Sequence, residues 1–287
     1  MKSKKMWMLG VAYASIVALL VYSSVLEPNF VVTTTSLTLS FEDLPEEFNG
    51  FRIAHVSDPH FGTWRLATRD DLVVRAIESF KPDLIVVTGD IVCKSLSANE
   101  ASRFVARLTS IAPTIVVLGN WDYWSGVNIT LFVEELKGVG AVVLLNEWTA
   151  IERGGSEIYV VGLDDPYTMR DDLTKALSGV PPDAFKILLA HSPQAFKEAL
   201  GQVDLVLVGH THGGQVVAPF LGPLHVPLPP DSRKYVKGLF VEGGTSMYVT
   251  SRVGCSLLPL RFLCPPEVAL ITLTKCEGRC AEMRLSG

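Results

Sequence analysis

Asp58 and His60 close the apolar run "RIAHVSDPH", Asp90 closes "DLIVVTGD", and Asn120, Trp121 and Asp122 follow directly on the hydrophobic residues of "TIVVLGNWD". Further on, His191 follows "FKILLA", and His210 and His212 follow "DLVLVG". Four of the six histidines fall in this set. A single Asp after a strand is ordinarily a turn residue or a helix cap, and a single His is ordinarily a hydrogen-bonded surface group. Five separate strand ends, each offering a carboxylate, an amide oxygen or an imidazole nitrogen, exceed what turn chemistry requires. A donor set of Asp, Asn and His without thiolate suits Mn²⁺, Fe or Zn²⁺ rather than Ca²⁺.

The elements that must position these groups can be read from the pattern. Strand-like runs lie at 51–57, 84–88, 114–118, 141–145, 157–162, 185–190 and 204–208, and "VVTTTSLTLSF" before them is rich in β-branched residues. Helix-length segments at 70–80, 98–110 and 128–138 separate the early runs. Strands alternating with helices predict parallel pairing in an α/β architecture, where ligands bind at the carboxyl ends of strands. Ser192-Pro193 predicts a helix start, with Ser as cap and Pro in the first position. "PFLGPLHVPLPPDSRK" at 219–234 is too Pro-rich for anything but a long loop. Short strands around 238–241, 246–250 and 267–274 complete a second, more antiparallel sheet. His55, inside a strand, reads as a core histidine.

The chain opens with Lys2, Lys4 and Lys5 and then "MWMLGVAYASIVALLVYSSVL", uncharged until Glu27. About 20 apolar residues suffice to cross a bilayer. A cleaved signal would have a shorter core and a small-x-small site behind it; Ala12-x-Ala14 comes too early, and Ser23 and Ser24 are weak substitutes. We expect an uncleaved anchor over 1–28 and one domain over 29–287. The lysines precede the span, which favours an outward-facing domain at the cell membrane. A net charge of −5 argues against a nucleic-acid partner. The odd cysteine count excludes a fully paired monomer; Cys255 with Cys264, and Cys276 with Cys280, are the short loops that could close in an oxidising space. Alternatively all are free, with Cys93 a small core residue. Asn128-Ile129-Thr130 matches a glycosylation sequon by pattern alone.

"SDPH", "TGD", "GNWD", "AHS" and "GHTHGGQ", in that order, resemble the calcineurin-like metallophosphoesterases, from about residue 37 to 275. "GHTHGGQ", the Pro-rich loop and "RFLCPPEVALITL" are most similar to the membrane-associated or exported bacterial and archaeal branch. The resemblance implies a four-layer α/β/β/α sandwich with mixed sheets and two adjacent divalent metals. Asp58, His60 and His212 would hold one, Asn120, His191 and His210 the other, and Asp90 would bridge them. Two cations about 3.5–4 Å apart can clamp a phosphate ester and make hydroxide from a shared water, which attacks phosphorus in line with the leaving oxygen.

Members of the family usually carry histidine where this chain has Trp121. Indole is a donor only and exchanges no proton near neutral pH, and loss of a general acid costs about 10²–10⁴ in rate. Three outcomes are compatible with that change. In the first, the substrate leaves without protonation, as a phosphoanhydride does. In the second, another acid among Asp122, Tyr123 and His225 substitutes. In the third, the centre binds metal but is slow or inactive, and Trp121 stacks on a bound phosphorylated ligand or the chain serves a membrane partner. Tyr123 and His225 are also candidate substrate contacts. The anchor and the apolar stretch "CSLLPLRFLCPP" favour a lipid-linked phosphodiester or pyrophosphate as substrate.

Overall fold

The computed structural model describes residues 2–224, 226–256, 258–276 and 284–286. An apolar helix spans Ser3–Phe30 and is almost wholly exposed along its hydrophobic part. The chain then enters a seven-stranded sheet through β1 (Thr33–Phe41), β2 (Phe51–Val56), β3 (Leu84–Thr88), β4 (Thr114–Val117) and β5 (Val142–Val143). A second, six-stranded sheet begins with β6 (Glu147–Arg153) and β7 (Ser156–Gly162) and continues with β8 (Lys186–Leu189) and β9 (Leu205–Val208). A two-stranded ribbon, β10 (Val217–Ala218) and β11 (Gly222–Pro223), precedes β12 (Gly238–Glu242) and β13 (Thr245–Val249). β14 (Glu267–Lys275) and β15 (Arg284–Ser286) return to the first sheet. The orders are β15-β1-β14-β2-β3-β4-β5 and β12-β13-β9-β8-β7-β6.

Alternation along the strands explains the layers. In β3, Ile85 and Val87 face the helices Ala67–Phe80, Ala98–Thr109 and Ile129–Gly138, where Ile77, Phe104, Leu108 and Leu136 are buried. Leu84 and Val86 point the other way, into a core shared with Ile158, Ile187, Leu205 and Leu207 of the second sheet. Leu188, Val206 and Val208 face outward from that sheet against Phe196 and Tyr235. Side chains of period two thus feed three apolar interfaces between four layers.

The second sheet differs from the expectation of a more antiparallel arrangement. β13, β9, β8 and β7 pair in parallel, and only the edge pairs β12–β13 and β6–β7 are antiparallel. The connections after β7 and β8 are long enough for right-handed crossovers even though their helices, Leu173–Ala176 and Phe196–Ala199, are one turn each. β6, with the sequence "EWTAIER", is not legible as a strand because it is an edge with mostly solvent-facing side chains. Cys255 and Cys264 are free and buried, not paired; Cys264 Sγ instead lies 3.3 Å from the His212 carbonyl oxygen. Cys276 is disulfide-bonded, while Cys280 lies outside the described residues. Asn128 caps the helix Ile129–Gly138 by accepting from the Leu131 N–H.

Candidate metal centre

The carboxyl ends of β2, β3 and β4 in one sheet, and of β8 and β9 in the other, converge on one buried cluster. The backbone turns sharply as it leaves the strands: Asp58, His60, Asp90, His210 and His212 all have left-handed φ, between 51° and 65°. Non-glycine residues in this region cost about 1–3 kcal/mol when strained and gather at functional sites. Packing between the two sheets' loops is close. A Cβ on Gly119 would stand 2.5 Å from Asp90 Oδ1 and 2.7 Å from His191 Nδ1, so only glycine lets these loops meet.

Among the candidate ligands the atoms without a hydrogen-bond partner are oxygens, while each imidazole is fixed through one nitrogen and turns the other towards the cluster, where His191 Nε2 and His210 Nδ1 lie 3.0 Å apart. Asp58 Oδ2 accepts from Ser57 Oγ at 2.5 Å and from the His210 N–H at 3.1 Å, whereas its Oδ1 is buried without a partner. Asp90 Oδ1 accepts from the Trp121 N–H at 2.7 Å, and its Oδ2 has no hydrogen-bond donor. Asn120 Oδ1 is buried and unpartnered as well. The imidazoles are pinned the same way: His191 Nδ1 by the Thr88 carbonyl at 2.8 Å, His210 Nε2 by the Pro227 carbonyl at 3.0 Å, His212 Nδ1 by Gln215 Oε1 at 3.1 Å, and His60 Nδ1 against Cys93 Sγ at 2.7 Å. Such partners behind an imidazole fix the ring and direct its other nitrogen.

The unpaired oxygens and the inward-facing nitrogens meet in two groups. Asp58, His60 and His212 form one group, and Asp90, His191 and His210 another, with ligand atoms in each group within 4.8 Å of one another. Asp90 Oδ2 lies 3.5 Å from His60 Nε2 and 3.3 Å from His191 Nε2, so one carboxylate oxygen addresses both groups. Leaving buried oxygens unpaired costs about 1–3 kcal/mol each, and three in one place, with two clusters of imidazole nitrogens, fit a pair of divalent cations. The electrostatics agree. Burial works against a protonated His191, yet Asp90 and Asp58 raise its pKa well above the ordinary value, the response of a site that attracts positive charge. Burial pulls His60 down and His210 down to about 4, which keeps both rings in the neutral, metal-binding form.

Arg252 joins the site without having been singled out by the sequence. Its guanidinium is fully buried, with Nη1 3.1 Å from His60 Nε2 and 2.5 Å from His212 Nε2, and Nη2 bonded to Gln215 Oε1. A guanidinium only donates, so a cation already faces the nitrogens of the first group. Arg261 acts elsewhere. It donates to the carbonyls of Gly254 and Cys264, both at 2.6 Å, and ties the loop together. Nothing in "TSRVGC" distinguishes Arg252 from any arginine beside a strand.

Two expected acids have their polar atoms spent elsewhere. Asp122 Oδ1 accepts from the Ile91 and Val92 N–H groups at 2.8 and 2.9 Å, and Oδ2 from the Gly119 N–H at 2.9 Å. Burial and the neighbouring Asp90 push its carboxyl up to about 7, but both its oxygens are taken by those backbone N–H groups. Tyr123 donates to Asp164 Oδ1 at 2.5 Å, and Arg170 stacks on its ring. His225 lies outside the described residues. His55, as expected, is a core residue, bonded through Nε2 to Thr88 Oγ1 at 2.8 Å.

Trp121 sits in the wall of a cleft of about 470 Å³ above the clusters. Asp90, Asn120, His210 and His212 line its polar end, and Trp124, Tyr167, Leu224 and Leu258 its apolar walls. Tyr167 lies with its ring centroid 4.6 Å from that of His210, and Trp124 stands edge-on to both Trp121 and Tyr167.

Residues 51–214 match the family model of the calcineurin-like phosphoesterases, and the chain belongs to that family. It is a metal-dependent phosphoesterase with a two-metal centre. The chain is 35% identical to the Bacillus subtilis (strain 168) protein described as uncharacterized metallophosphoesterase YkuE, with 88% of each chain covered. It is 34% identical to phosphodiesterase YaeI of Escherichia coli (strain K12), covering 78% of this chain and 82% of that one. A Danio rerio transmembrane protein with metallophosphoesterase domain is 31% identical, covering 81% of this chain and 55% of its own length.

Proposed function

We propose that this phosphoesterase is anchored by residues 1–28, faces outward from the cell membrane with its domain at 29–287, and hydrolyses a lipid-linked phosphodiester or pyrophosphate. The observation that carries this reading is the cleft, which joins a cation-seeking polar end to walls of Trp121, Trp124, Tyr167, Leu224 and Leu258. A phosphoryl group fits the first and an apolar chain the second. Asp58, His60 and His212 would hold one cation, and Asn120, His191 and His210 the other, with Asp90 shared. When bound, two such cations lower the pKa of water and neutralise charge on a phosphoryl group.

The chain's own residues supply the rest. With Asp122 and Tyr123 committed elsewhere, the described residues of the cleft offer no obvious replacement for the usual histidine acid at Trp121. A leaving group that needs no proton, as in a pyrophosphate, suits this arrangement. Trp121→His is expected to raise turnover of an alkyl phosphodiester about tenfold or more and to change turnover of a pyrophosphate little. Equal gains on both substrates, or none, would overturn the leaving-group argument. We assign Arg252 to the phosphoryl charge. Charge-assisted hydrogen bonds contribute about 1.5–3 kcal/mol, so Arg252→Ala should lower kcat/KM roughly 10- to 100-fold while metal analysis still finds both ions. Loss of an ion instead would make Arg252 part of the metal scaffold.

The reading is tested by comparing Mn²⁺-dependent hydrolysis of bis(p-nitrophenyl) phosphate with that of a pyrophosphate-linked nucleotide lipid. Preference for the lipid anhydride supports it; preference for water-soluble diesters, with the lipid untouched, removes the lipid.

A further inference from the structure

The apolar helix does not end in a flexible linker. Its 28 residues amount to about 42 Å at 1.5 Å per residue, well beyond the roughly 30 Å hydrocarbon core. The surplus turns pack against the domain, where Ser23, Glu27 and Asn29 are buried. Glu27 accepts from the backbone N–H groups of Leu263 at 3.1 Å and Cys264 at 2.7 Å. The Arg261 N–H donates to the Ser23 carbonyl at 2.8 Å, and the Leu66 N–H to Asn29 Oδ1 at 2.7 Å. These bonds fix the domain's orientation on the helix.

The segment held by the helix is itself bonded to the Pro-rich loop. The Val217 N–H donates to the Phe262 carbonyl at 2.9 Å, and the Phe262 N–H to the Gln215 carbonyl at 3.1 Å. The Leu224 N–H closes the ribbon onto the Val216 carbonyl at 3.1 Å. On this joined surface Phe220, Leu221, Leu224, Leu258 and Leu263 are all more than half exposed, Phe220 completely. No charged residue occurs between Ala218 and Pro230 or between Val253 and Leu260, and Arg261 is buried. Leu224 and Leu258 belong to both this surface and the cleft wall.

We propose that the loops around 216–224 and 258–263 seat on the lipid bilayer beside the anchor, so that the cleft opens at the membrane interface. The occupant is a lipid surface because the exposed apolar side chains are continuous, through main-chain bonds, with the helix that enters the bilayer. Apolar loops without charge gain by entering the acyl–headgroup boundary, and the rigid junction brings them there without a further conformational change. The inference rests on the membrane anchoring proposed above and not on the identity of the substrate.

The test uses the full chain in phosphatidylcholine–phosphatidylglycerol vesicles whose acyl chains carry bromine. Phe220→Cys, Leu263→Cys and, as a control on the helix Ile129–Gly138, Leu131→Cys each receive a fluorophore; Cys93, Cys255 and Cys264 are buried. Emission at 220 and 263 is expected to fall at least about twofold, with no change at 131. Uniform quenching, or none in chains that float with the vesicles, overturns the seating while leaving the anchor intact. Labels shielded from aqueous iodide but not quenched by bromine would assign the surface to a protein partner and overturn it equally. Chains that fail to float at all would remove the anchor and the seating together. Vesicle flotation and quenching need no turnover, so a failed lipid substrate would show separately.

Discussion

Asp90→Asn is expected to lower kcat by about 10³-fold or more and to reduce the bound metal from two ions towards one. The carboxylate is placed between the two groups, with Oδ2 3.5 Å from His60 Nε2 and 3.3 Å from His191 Nε2. Asparagine preserves the side chain's shape and can still accept from the Trp121 N–H, which now bonds Oδ1 at 2.7 Å. It cannot place a second anionic oxygen between two cations. Paired ions contribute several kcal/mol to stabilising a phosphoryl transition state, and each 1.36 kcal/mol is a factor of ten. Metal analysis alongside kinetics checks the result. Two ions retained with less than a tenfold loss of rate would show that Asp90 does not join the sites.

The largest effect on stability is expected at Asp122. Its two oxygens accept from three buried backbone N–H groups, at Ile91, Val92 and Gly119. Removing the acceptor strands donors at about 1–3 kcal/mol each. Asp122→Ala should therefore destabilise the fold by about 3–5 kcal/mol in equilibrium denaturation. Asp122→Asn keeps one acceptor oxygen and should lose much less. Because the bonds join the loop after β3 to the loop after β4, the alanine variant should also bind metal more weakly through displacement of Asp90 and Asn120. Unchanged stability with lost activity would instead make Asp122 a direct participant in the chemistry.

Legibility follows the range of the interaction that decides each feature. β2, β3, β4, β8 and β9 are plain because buried strands in a parallel sheet are continuous apolar runs, and each of them ends at a site residue. β6 is hidden because an edge strand has no such run. The order of the motifs points to the family and to two cations, since Asp, Asn and His at successive strand ends are a local feature of the chain. By contrast, local sequence assigns Asp122 and Tyr123 to the chemistry by adjacency to Trp121, and their bonds to Gly119, Ile91, Val92 and Asp164 redirect them.

By itself, then, the sequence determined the α/β architecture, the strand ends and the chemical types gathered there, because hydrophobic period and donor chemistry are written residue by residue; the four layers were implied by the resemblance of its motifs to a family. Only the tertiary structure decided which oxygen of Asp58 and Asp90 is left unpaired, that Arg252 reaches His60 across 192 residues of sequence, and that the last turns of the N-terminal apolar helix hold the loop beside the cleft. Those are long-range pairings, set by how two sheets pack, and no local pattern encodes the partner of a buried atom.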